Sequence, residues 1–475
     1  MRFALAVSAV WLLVCLATGA RLPAAALATA LSALGVLRSL EGGWAKRPAL
    51  SLALAHVALY MSTFRWHGGD DIPNSLLPFA LLNHGTLALD AVMDPWLTGR
   101  ELDFTVPGSQ GRTLSVYPVL PGLMAVPFYL VTALFDPPVS QGFLHDLSKL
   151  SGASITAAAV GVFYLALKDR CSPRWALWLA VLFGSGSWAL SVSSQALWQH
   201  GPSQLGVALG LWGLAGAGPI RAATAGFGFA LSVAARPDSV FLAAAVAGLW
   251  LFHRTRELPA FLCGAAVPAA GLSAYWHAYT GRFAPPELKW QARNLGGPQA
   301  SALVGMLLTP ARGLLLYFPP FLVSAWAAVR RRDAETLWLA AGCAGKVLFL
   351  SCYSNWVGGL SFGTRYFASM TMIFLWWLTP YEKEIAASAR LRRAWACAAA
   401  AAFIIHALGG YLRWPGTYET ARTLSRLWAL SEHPVFHLLD ARGGLADWPF
   451  ALRGLALAAL AAGWVALSRR LEKTL

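Results

Sequence analysis

The sequence of 475 residues has little charge. Asp, Glu, Lys and Arg make up 12% of it, about half the share usual in soluble proteins, whereas hydrophobic residues reach 57%. A chain of this composition cannot cover a soluble surface with polar groups. The sequence is therefore predicted to be an integral membrane protein with many spans.

Cysteine is also scarce, and its pattern argues against a disulfide framework or a metal site. The six cysteines are scattered, with neither a Cys-x-x-Cys pair nor a Cys/His spacing typical of zinc. The formal net charge is +15, yet no basic run is longer than Arg330-Arg331-Arg332, and no nucleic-acid motif accompanies it. Nucleic acid is therefore not a predicted partner, and an anionic lipid or phosphate stays open.

Apolar segments of span length recur along the chain. A bilayer core requires about 20 apolar residues per helix, and merging of short segments could reduce the fourteen candidates to about twelve. The predicted fold class is an all-α, polytopic transmembrane bundle with juxtamembrane helices on its outer face, forming one domain over 1–475. The candidate spans lie near 3–20, 22–40, 48–65, 150–167, 175–192, 204–218, 222–235, 239–252, 258–275, 313–329, 336–352, 366–380, 394–411 and 450–468.

Positive charge marks the predicted cytoplasmic side. With the N-terminus inside, the inner segments hold 20 Lys and Arg against 8 acids, and the rest of the chain holds the other 17 bases and 14 acids. This asymmetry predicts that both termini are cytoplasmic.

Irregular sequence is concentrated on the outer side. Residues 66–149 form a long predicted loop, rich in acids and broken by prolines. Within it, 74–90 is predicted to form a short amphipathic helix, and 118–135 an interfacial or re-entrant helix. Further outer loops are predicted at 193–203, 276–312, 353–365 and 412–449.

Two adjacent carboxylates, Asp70 and Asp71, directly follow the third predicted span. Carboxylates at a membrane edge cost free energy unless they are solvated or paired. One interpretation is a general base at the outer rim, beside glycines that let the backbone approach a ligand. The other is a solvated loop that caps the helix beginning near Ile72-Pro73. The residues alone leave both interpretations open.

Cations mark the outer ends of several predicted spans. They are Arg236, Arg312, Lys346, Arg365 and, opening the fourth span, Lys149. Arg binds phosphate through a planar fork and Lys through a point charge, so several cations at one depth suit a lipid phosphate or pyrophosphate. The alternative is that they are membrane-edge anchors, with Arg236 paired to Asp238. Lys346 fits that alternative least, because a cation inside a span costs about 2.5–3.5 kcal/mol.

Histidine and tryptophan give weaker signals. No His-Glu-x-x-His or other paired spacing indicates a metal. His200, in an outer loop before a span, is a candidate for hydrogen bonding or for orienting a substrate. Tryptophans cluster toward the outer face, either as an interfacial belt or as platforms for sugar rings.

Several of these features follow one another in a recognisable order. They are the acidic pair Asp70-Asp71, the stretch from Leu76 to Asp90, the Tyr-Pro-rich stretch from Tyr117 to Tyr129, Arg236-Pro237, Thr309–Leu314 (Thr-Pro-x-Arg-Gly-Leu) and Trp356–Tyr366 (Trp-x-Gly-Gly-x-Ser-Phe-Gly-x-Arg-Tyr). This order resembles the GT-C superfamily of polytopic glycosyltransferases, the group with protein O-mannosyltransferases and the lipid A aminoarabinose transferase. The resemblance covers roughly 48–380, is greatest to the bacterial branch, and is most specific in the last two segments.

The resemblance implies inverting transfer of a sugar from a polyprenyl-phosphate donor to a hydroxyl of a glycan, lipid or protein. It places the reaction on the outer, periplasmic face of a bacterial inner membrane, among membrane lipids and without metal or cofactor. Asp70 or Asp71 would accept the proton of the attacking hydroxyl. The donor phosphate is expected to contact Arg236, Arg312, Lys346, Arg365 and Tyr366. The sugar or acceptor is expected to contact His84, Asp90, Tyr117, His200 and Trp356.

Other classes of protein would use some of the same residues. A transporter or flippase for a lipid-linked sugar would use the cations and tryptophans but no base. An O-antigen-ligase-like transferase would take a diphosphate-linked donor, and a non-catalytic scaffold would not require a buried Lys346. The position of Asp70-Asp71 at a rim, instead of a midplane acid in a broken helix, favours the transferase.

Overall fold

The structure, a computed structural model, describes residues 47–63, 71–93, 104–135, 140–283, 292–359, 361–411, 424–433, 435–436, 462–463 and 465–473. The predicted spans 3–20 and 22–40, most of 450–468, and Asp70 lie outside the described residues.

Nearly all regular structure in the described part is helical. The first helices are α1 (Pro48–Ser62), α2 (Ile72–His84), α3 (Asp90–Met93), α4 (Leu120–Phe135), α5 (Gln141–Lys168), α6 (Pro173–Ser185), α7 (His200–Ala215), α8 (Pro219–Ala235) and α9 (Val240–His253). The next are α10 (Leu258–Thr280), α11 (Ala300–Leu308), α12 (Leu314–Tyr317), α13 (Pro320–Arg331), α14 (Ala334–Ser351), α15 (Thr371–Trp376), α16 (Glu382–Ala387), α17 (Ala389–Tyr411) and α18 (Leu424–Leu427). Strands β1 (Thr105–Pro107) and β2 (Thr113–Ser115) form an antiparallel hairpin.

This architecture confirms the all-α class predicted from composition. Three helical segments of the described chain are long and apolar enough to cross a membrane: Gln141–Lys168, Thr255–Thr280 and Ala389–Tyr411. The first and the last are mostly buried inside the bundle, whereas almost every residue of the second is partly or fully exposed. Such exposure is expected where lipid, not water, surrounds the helix.

Helix α5 lies at the centre of the bundle and packs against α1, α6 and α7. Helix α7 in turn packs closely on α8, because small residues meet between them. A Cβ atom on Gly228 would lie only 2.2 Å from the backbone nitrogen of Gly210. Close contact between small residues stabilises helix pairs in a membrane through van der Waals packing. Because Arg236 directly follows α8, this packing also determines the depth of its side chain.

Helix boundaries differ from the predicted ones at two places that matter for the site. The helix predicted at 74–90 begins at Ile72 and ends at His84, because Gly85 takes a left-handed conformation (φ 65°) that terminates it. Asp90 therefore starts a separate helix, α3. The span predicted at 150–167 begins earlier, at Gln141, so Lys149 lies more than two turns inside α5 instead of opening it.

The predicted outer loop 66–149 contains ordered structure that the sequence did not indicate. The β1–β2 hairpin packs on the C-terminal end of α10, where Arg112 lies over the ring of Tyr279 at 5.1 Å. Ser109 Oγ donates a hydrogen bond to the Tyr279 carbonyl at 2.9 Å, and the Tyr279 hydroxyl accepts one from the Leu87 amide. The hairpin thus attaches the loop to the helical bundle.

Candidate functional site

Four cations from separate parts of the chain form what we call the cation cluster: Arg236, Arg312, Lys346 and Arg365. Arg236 follows α8, Lys346 lies near the C-terminal end of α14, Arg312 joins α11 to α12, and Arg365 opens a single 3-10 turn. The positive charges of Arg236, Arg365 and Lys346 all act on His200. Arg365 also acts on Arg312, so the four cations share one electrostatic environment.

Asp238 joins two of these cations. Arg236 Nε donates to both carboxylate oxygens, at 2.8 and 2.9 Å, and Lys346 Nζ donates to Asp238 Oδ1 at 3.2 Å and to Ser369 Oγ at 2.9 Å. Burial raises the pKa of Asp238, but Arg236 and Lys346 outweigh it and hold that pKa below its usual value. The sequence anticipated the pair with Arg236 but not the bridge to Lys346, which is completely buried.

Arg236 also contacts two rings. Its Nη1 atom lies 2.8 Å from His200 Nδ1 and 2.9 Å from Nε2. A guanidinium has only donors, so the ring nitrogen that accepts from it must be unprotonated. The guanidinium carbon lies 5.1 Å from the centre of the Tyr366 ring, within cation–π range. Arg236 is thereby oriented by three side chains, Asp238 included.

Arg365 is the member of the cluster that is partly exposed. It lies over the ring of Trp198, with 5.1 Å between the guanidinium carbon and the ring centre. Arg312, by contrast, is 5% exposed, and its guanidinium donates to backbone carbonyls of the 358–364 loop. Burial lowers the pKa of Arg312, and the positive charge of Arg365 adds to that lowering. Arg365 is therefore accessible from outside the protein, whereas the Arg312 guanidinium is bound to the backbone of the loop.

The acidic side of the site begins at Asp71, which is completely buried. It occupies the position before α2, but its side chain makes no capping hydrogen bond. The Asp71 carbonyl accepts from Ser75 Oγ at 2.7 Å, and its carboxylate is close enough to act on the buried phenol of Tyr129. A capping role thus does not account for the Asp71 carboxylate.

A segment at 194–200 connects the acidic side to the cations. Ser148 Oγ accepts from the Leu197 amide at 2.9 Å and from Ser75 Oγ at 2.8 Å, while Asn74 Nδ2 donates to the Leu197 carbonyl at 3.3 Å. The next residues along the chain are Trp198, under Arg365, and His200, beside Arg236. The two halves of the candidate site are therefore joined through a few hydrogen bonds.

Lys149 fixes the start of this segment. Its buried ammonium donates to the Ser194 carbonyl at 2.9 Å, to Thr63 Oγ1 at 2.8 Å and to Gln195 Oε1 at 3.4 Å. A π-helical turn, Ala189–Ser193, lies just before it. Single π turns inside helical regions are frequent at functional sites. The sequence predicts Lys149 only at the start of a span. It does not indicate this buried role, because the predicted helix begins at 150 and the observed one at Gln141.

Other residues predicted for the sugar or acceptor lie in different surroundings. His84 is exposed at the end of α2, next to Phe79. Both oxygens of Asp90 accept from the Thr113 amide, at 3.0 and 2.9 Å, and the Tyr117 ring stacks on Phe104. Trp356 is 4% exposed and packs on Gly305. Of this predicted set, His200 is the member that contacts the cation cluster.

Within the described ranges, no group of three or more His, Cys, Asp or Glu side chains has the arrangement required to hold a metal ion.

The similarity of this chain to known proteins lies in its fold. No protein-family model matches the chain, and no curated protein matches it. The structure is similar to that of ArnT from Cupriavidus metallidurans bound to undecaprenyl phosphate, with a TM-score of 0.48 and 14% identity over 89% of this chain and 78% of that one.

Two structures from Archaeoglobus fulgidus are similar as well. One is an oligosaccharyltransferase tethered with an acceptor peptide (TM-score 0.40, 13% identity, 80% of this chain and 55% of that one). The other is the oligosaccharyltransferase AglB in complex with an inhibitory peptide and a dolichol-phosphate (TM-score 0.41, 13% identity, 78% of this chain and 56% of that one). This chain thus spans little more than half the length of each.

Proposed function

We propose that this protein is an inverting glycosyltransferase of the GT-C type. It moves a sugar from a polyprenyl-phosphate donor to an acceptor hydroxyl on the outer face of a bacterial inner membrane, with both termini in the cytoplasm. The observation that supports this most directly is the convergence of three cations beside the 194–200 segment, which also contacts the start of α2. Arg236 contacts His200, Lys346 is joined to Arg236 through Asp238, and Arg365 lies over Trp198. The order of motifs along the sequence supports it independently.

The cation cluster suits the leaving group of such a reaction. When the bond between the anomeric carbon and the phosphate oxygen breaks, the polyprenyl phosphate gains negative charge. Cations already held in place stabilise that charge without reorganising during the reaction. Arg236 and Lys346 are held by Asp238, and Arg365 is supported by Trp198, so the required rigidity is present. The partly exposed Arg365 is the group best placed to meet the phosphate first.

The base is proposed to be Asp71 or its neighbour Asp70. A carboxylate that accepts the proton of the acceptor hydroxyl, opposite the departing phosphate, leads in one displacement to inversion at the anomeric carbon. Asp71 is buried, uses no capping hydrogen bond and lies at the start of α2, beside Asn74 and Ser75, which contact the linking segment. These contacts keep the acidic side in a defined position relative to the cations.

The experiment is an assay of the purified protein with a panel of polyprenyl-phosphate sugars and candidate acceptors, in which release of polyprenyl phosphate is measured. Asp70→Asn and Asp71→Asn should keep binding of polyprenyl phosphate, and the variant that lacks the base should lose about 10²–10⁴-fold in rate. Asp169→Asn, at an exposed ion pair with Arg221, is the matched control and should stay active.

Each alternative class has its own result in this assay. A transporter or flippase would move the donor across vesicles without releasing polyprenyl phosphate. A ligase-like enzyme would release polyprenyl diphosphate, and only from diphosphate-linked donors. Full activity of both Asp variants would show that neither carboxylate is the base.

A further inference from the structure

The two motifs with the most distinctive sequence, Thr309–Leu314 and Trp356–Tyr366, meet at the side chain of Arg312. Its Nη1 donates to the Gly363 carbonyl at 3.1 Å and its Nη2 to the Gly359 carbonyl at 3.1 Å, while the Ser361 carbonyl accepts from Nη1 as well. A guanidinium presents five N–H donors in a planar fork. Three carbonyls from one short loop therefore occupy the end of the side chain that a phosphate would need.

The main chain of Arg312 binds the same loop. Its carbonyl accepts from Thr364 Oγ1 at 2.9 Å and from the Thr364 amide at 3.3 Å. Ser361 Oγ donates within the loop, to the carbonyls of Gly358 and Gly363. The loop is thus folded around one residue that lies about fifty positions earlier in the chain.

Glycine makes this loop conformation possible. Gly358, Gly359 and Gly363 have φ values of 82°, 64° and 64°, in the left-handed region that favours glycine. A Cβ atom at Gly363 would also lie 2.5 Å from the ring of Tyr317. These glycines allow the carbonyls of Gly359 and Gly363, on either side of Ser361, to turn toward a single guanidinium.

The residues that follow the loop belong to the donor site. Arg365 is partly exposed and lies over Trp198, and Tyr366 lies beneath Arg236. The Tyr366 hydroxyl donates to the Asn355 carbonyl at 3.1 Å, at the other end of the loop. Any change in the 358–364 backbone would therefore move both side chains.

We infer that Arg312 is a positioning residue, which shapes the 358–364 loop so that Arg365 reaches the donor phosphate, and that Arg312 itself does not contact the phosphate. This inference rests on the proposed function and replaces the direct phosphate contact that the sequence suggested for Arg312. It also gives a role to the contact between the two motifs, since Arg312 of the first binds backbone carbonyls of the second.

The test measures binding of polyprenyl phosphate to the purified full-length protein. It asks whether the positive charge of Arg312 is sufficient or whether the planar shape of its guanidinium is required. Arg312→Lys keeps the positive charge but replaces the fork with a point charge that cannot serve three carbonyls. It should weaken binding by about tenfold or more, as much as Arg365→Ala.

Gly359→Ala should have the same effect, because it disfavours the backbone conformation of the loop. Steric crowding would not contribute, since a Cβ atom at Gly359 meets no atom closer than 3.7 Å. Gly281→Ala is the matched control, since Gly281 has a φ of 70°, has open space around it, and lies at the end of α10.

A double-mutant cycle separates positioning from direct contact. If Arg312 acts through Arg365, then Arg312→Lys should add little loss of binding once Arg365 is already alanine. Losses that multiply would overturn the inference, as would wild-type binding by Arg312→Lys or Gly359→Ala. If Arg312→Lys does not fold, the cycle is run with Gly359→Ala in its place. Failure of the wild-type protein to bind any polyprenyl phosphate would overturn the proposed function and this inference together.

Discussion

Two charged regions lie at opposite ends of the same helices, and they are built differently. Helix α14 carries Glu335 in its first turn and Lys346 eleven residues later, roughly 16 Å along its axis. Helix α9 begins just after Asp238 and ends just before Arg254. One end therefore belongs to the cation cluster, and the other to a region that we call the paired layer, centred on Glu335.

The paired layer consists of ion pairs between carboxylates and arginines. Glu335 Oε2 lies 2.7 Å from Arg170 Nη2 and 3.9 Å from Arg254 Nη2, while Glu335 Oε1 accepts from Trp376 Nε1 at 2.9 Å. With its neighbours, five described carboxylates form ion pairs with seven arginines. The further pairs are Arg221–Asp169, Arg330–Glu384, Arg331–Asp333, Arg392–Glu472 and Arg393–Glu472.

The cation cluster instead gathers four cations from four elements, and Asp238 bridges two of them. Bringing like charges together costs free energy unless an anion joins them. The paired layer sets five carboxylates against seven arginines, and ion pairs of this kind anchor helices without a ligand. A region that concentrates charge of one sign is suited to an anionic ligand, and this contrast is the strongest physical support for a phosphate at the cation cluster.

The largest change in stability is expected when the central carboxylate of either region, Asp238 or Glu335, is removed. Asp238→Asn and Glu335→Gln each leave two cations without the group that joins them. Removing one partner of a buried ion pair typically costs about 3–5 kcal/mol, so both changes should lower the free energy of unfolding by about that amount. Polyprenyl phosphate should stabilise both variants through the intact cations, but it should stabilise Asp238→Asn more, because there the phosphate also replaces the lost negative charge. Thermal unfolding with and without the lipid measures this difference.

The pH dependence of unfolding provides a second measurement on the same variants. The pKa of Asp238 is lowered in the folded protein. Its contribution to stability is therefore fully present above the pKa of an unfolded Asp, about 3.9, and is lost as the pH falls through the lower folded value. Asp238→Asn should lack that acid-side loss. Equal stabilisation of both variants by the lipid would contradict the distinction between the two regions.

Sequence alone located the cations but, apart from Asp238 beside Arg236, not their partners. Arg236, Lys346 and Arg365 stand out in the sequence because they lie near the ends of apolar spans, and depth along a helix follows directly from residue count. Which way a side chain points across the bundle does not follow from that count. The carbonyls that bind Arg312 lie about fifty residues away, and the bridge from Asp238 to Lys346 spans 108 positions. Single-sequence patterns carry no information about such contacts.

Helix class was predictable for a different reason. Scarce charge and long apolar runs leave the backbone no alternative to helices in a bilayer, so the all-α class follows from composition. Boundaries were less certain, and one error had consequences. The sequence predicts that this span begins at 150, which leaves Lys149 at the membrane edge. In the structure α5 begins at Gln141, and Lys149 is a buried donor to Ser194 and Gln195.

A smaller but more specific effect is expected from two arginines in matched surroundings. Arg365 lies 5.1 Å from the centre of the Trp198 ring and Arg254 lies 4.9 Å from that of Trp250. Replacing either with Ala removes a similar cation–π contact. Only Arg365→Ala should weaken binding of polyprenyl phosphate, by about tenfold or more, because only Arg365 belongs to the cation cluster. Equilibrium binding to the purified variants measures it, and equal losses would mean that the effect comes from packing on Trp.

The smallest effect is expected at an exposed pair of the paired layer. Arg221 Nη2 lies 3.0 Å from Asp169 Oδ2, with side chains 31% and 27% exposed. Exposed pairs contribute roughly 0–1 kcal/mol and are screened by salt. The coupling energy from a cycle of Arg221→Ala and Asp169→Asn in thermal unfolding should therefore be small and should fall further at high ionic strength. A coupling above about 2 kcal/mol that resists salt would show that the layer contributes to stability as strongly as a buried network. Ion pairing within the protein would then no longer distinguish an anchoring region from a binding one, and the contrast with the cation cluster would rest on phosphate binding alone.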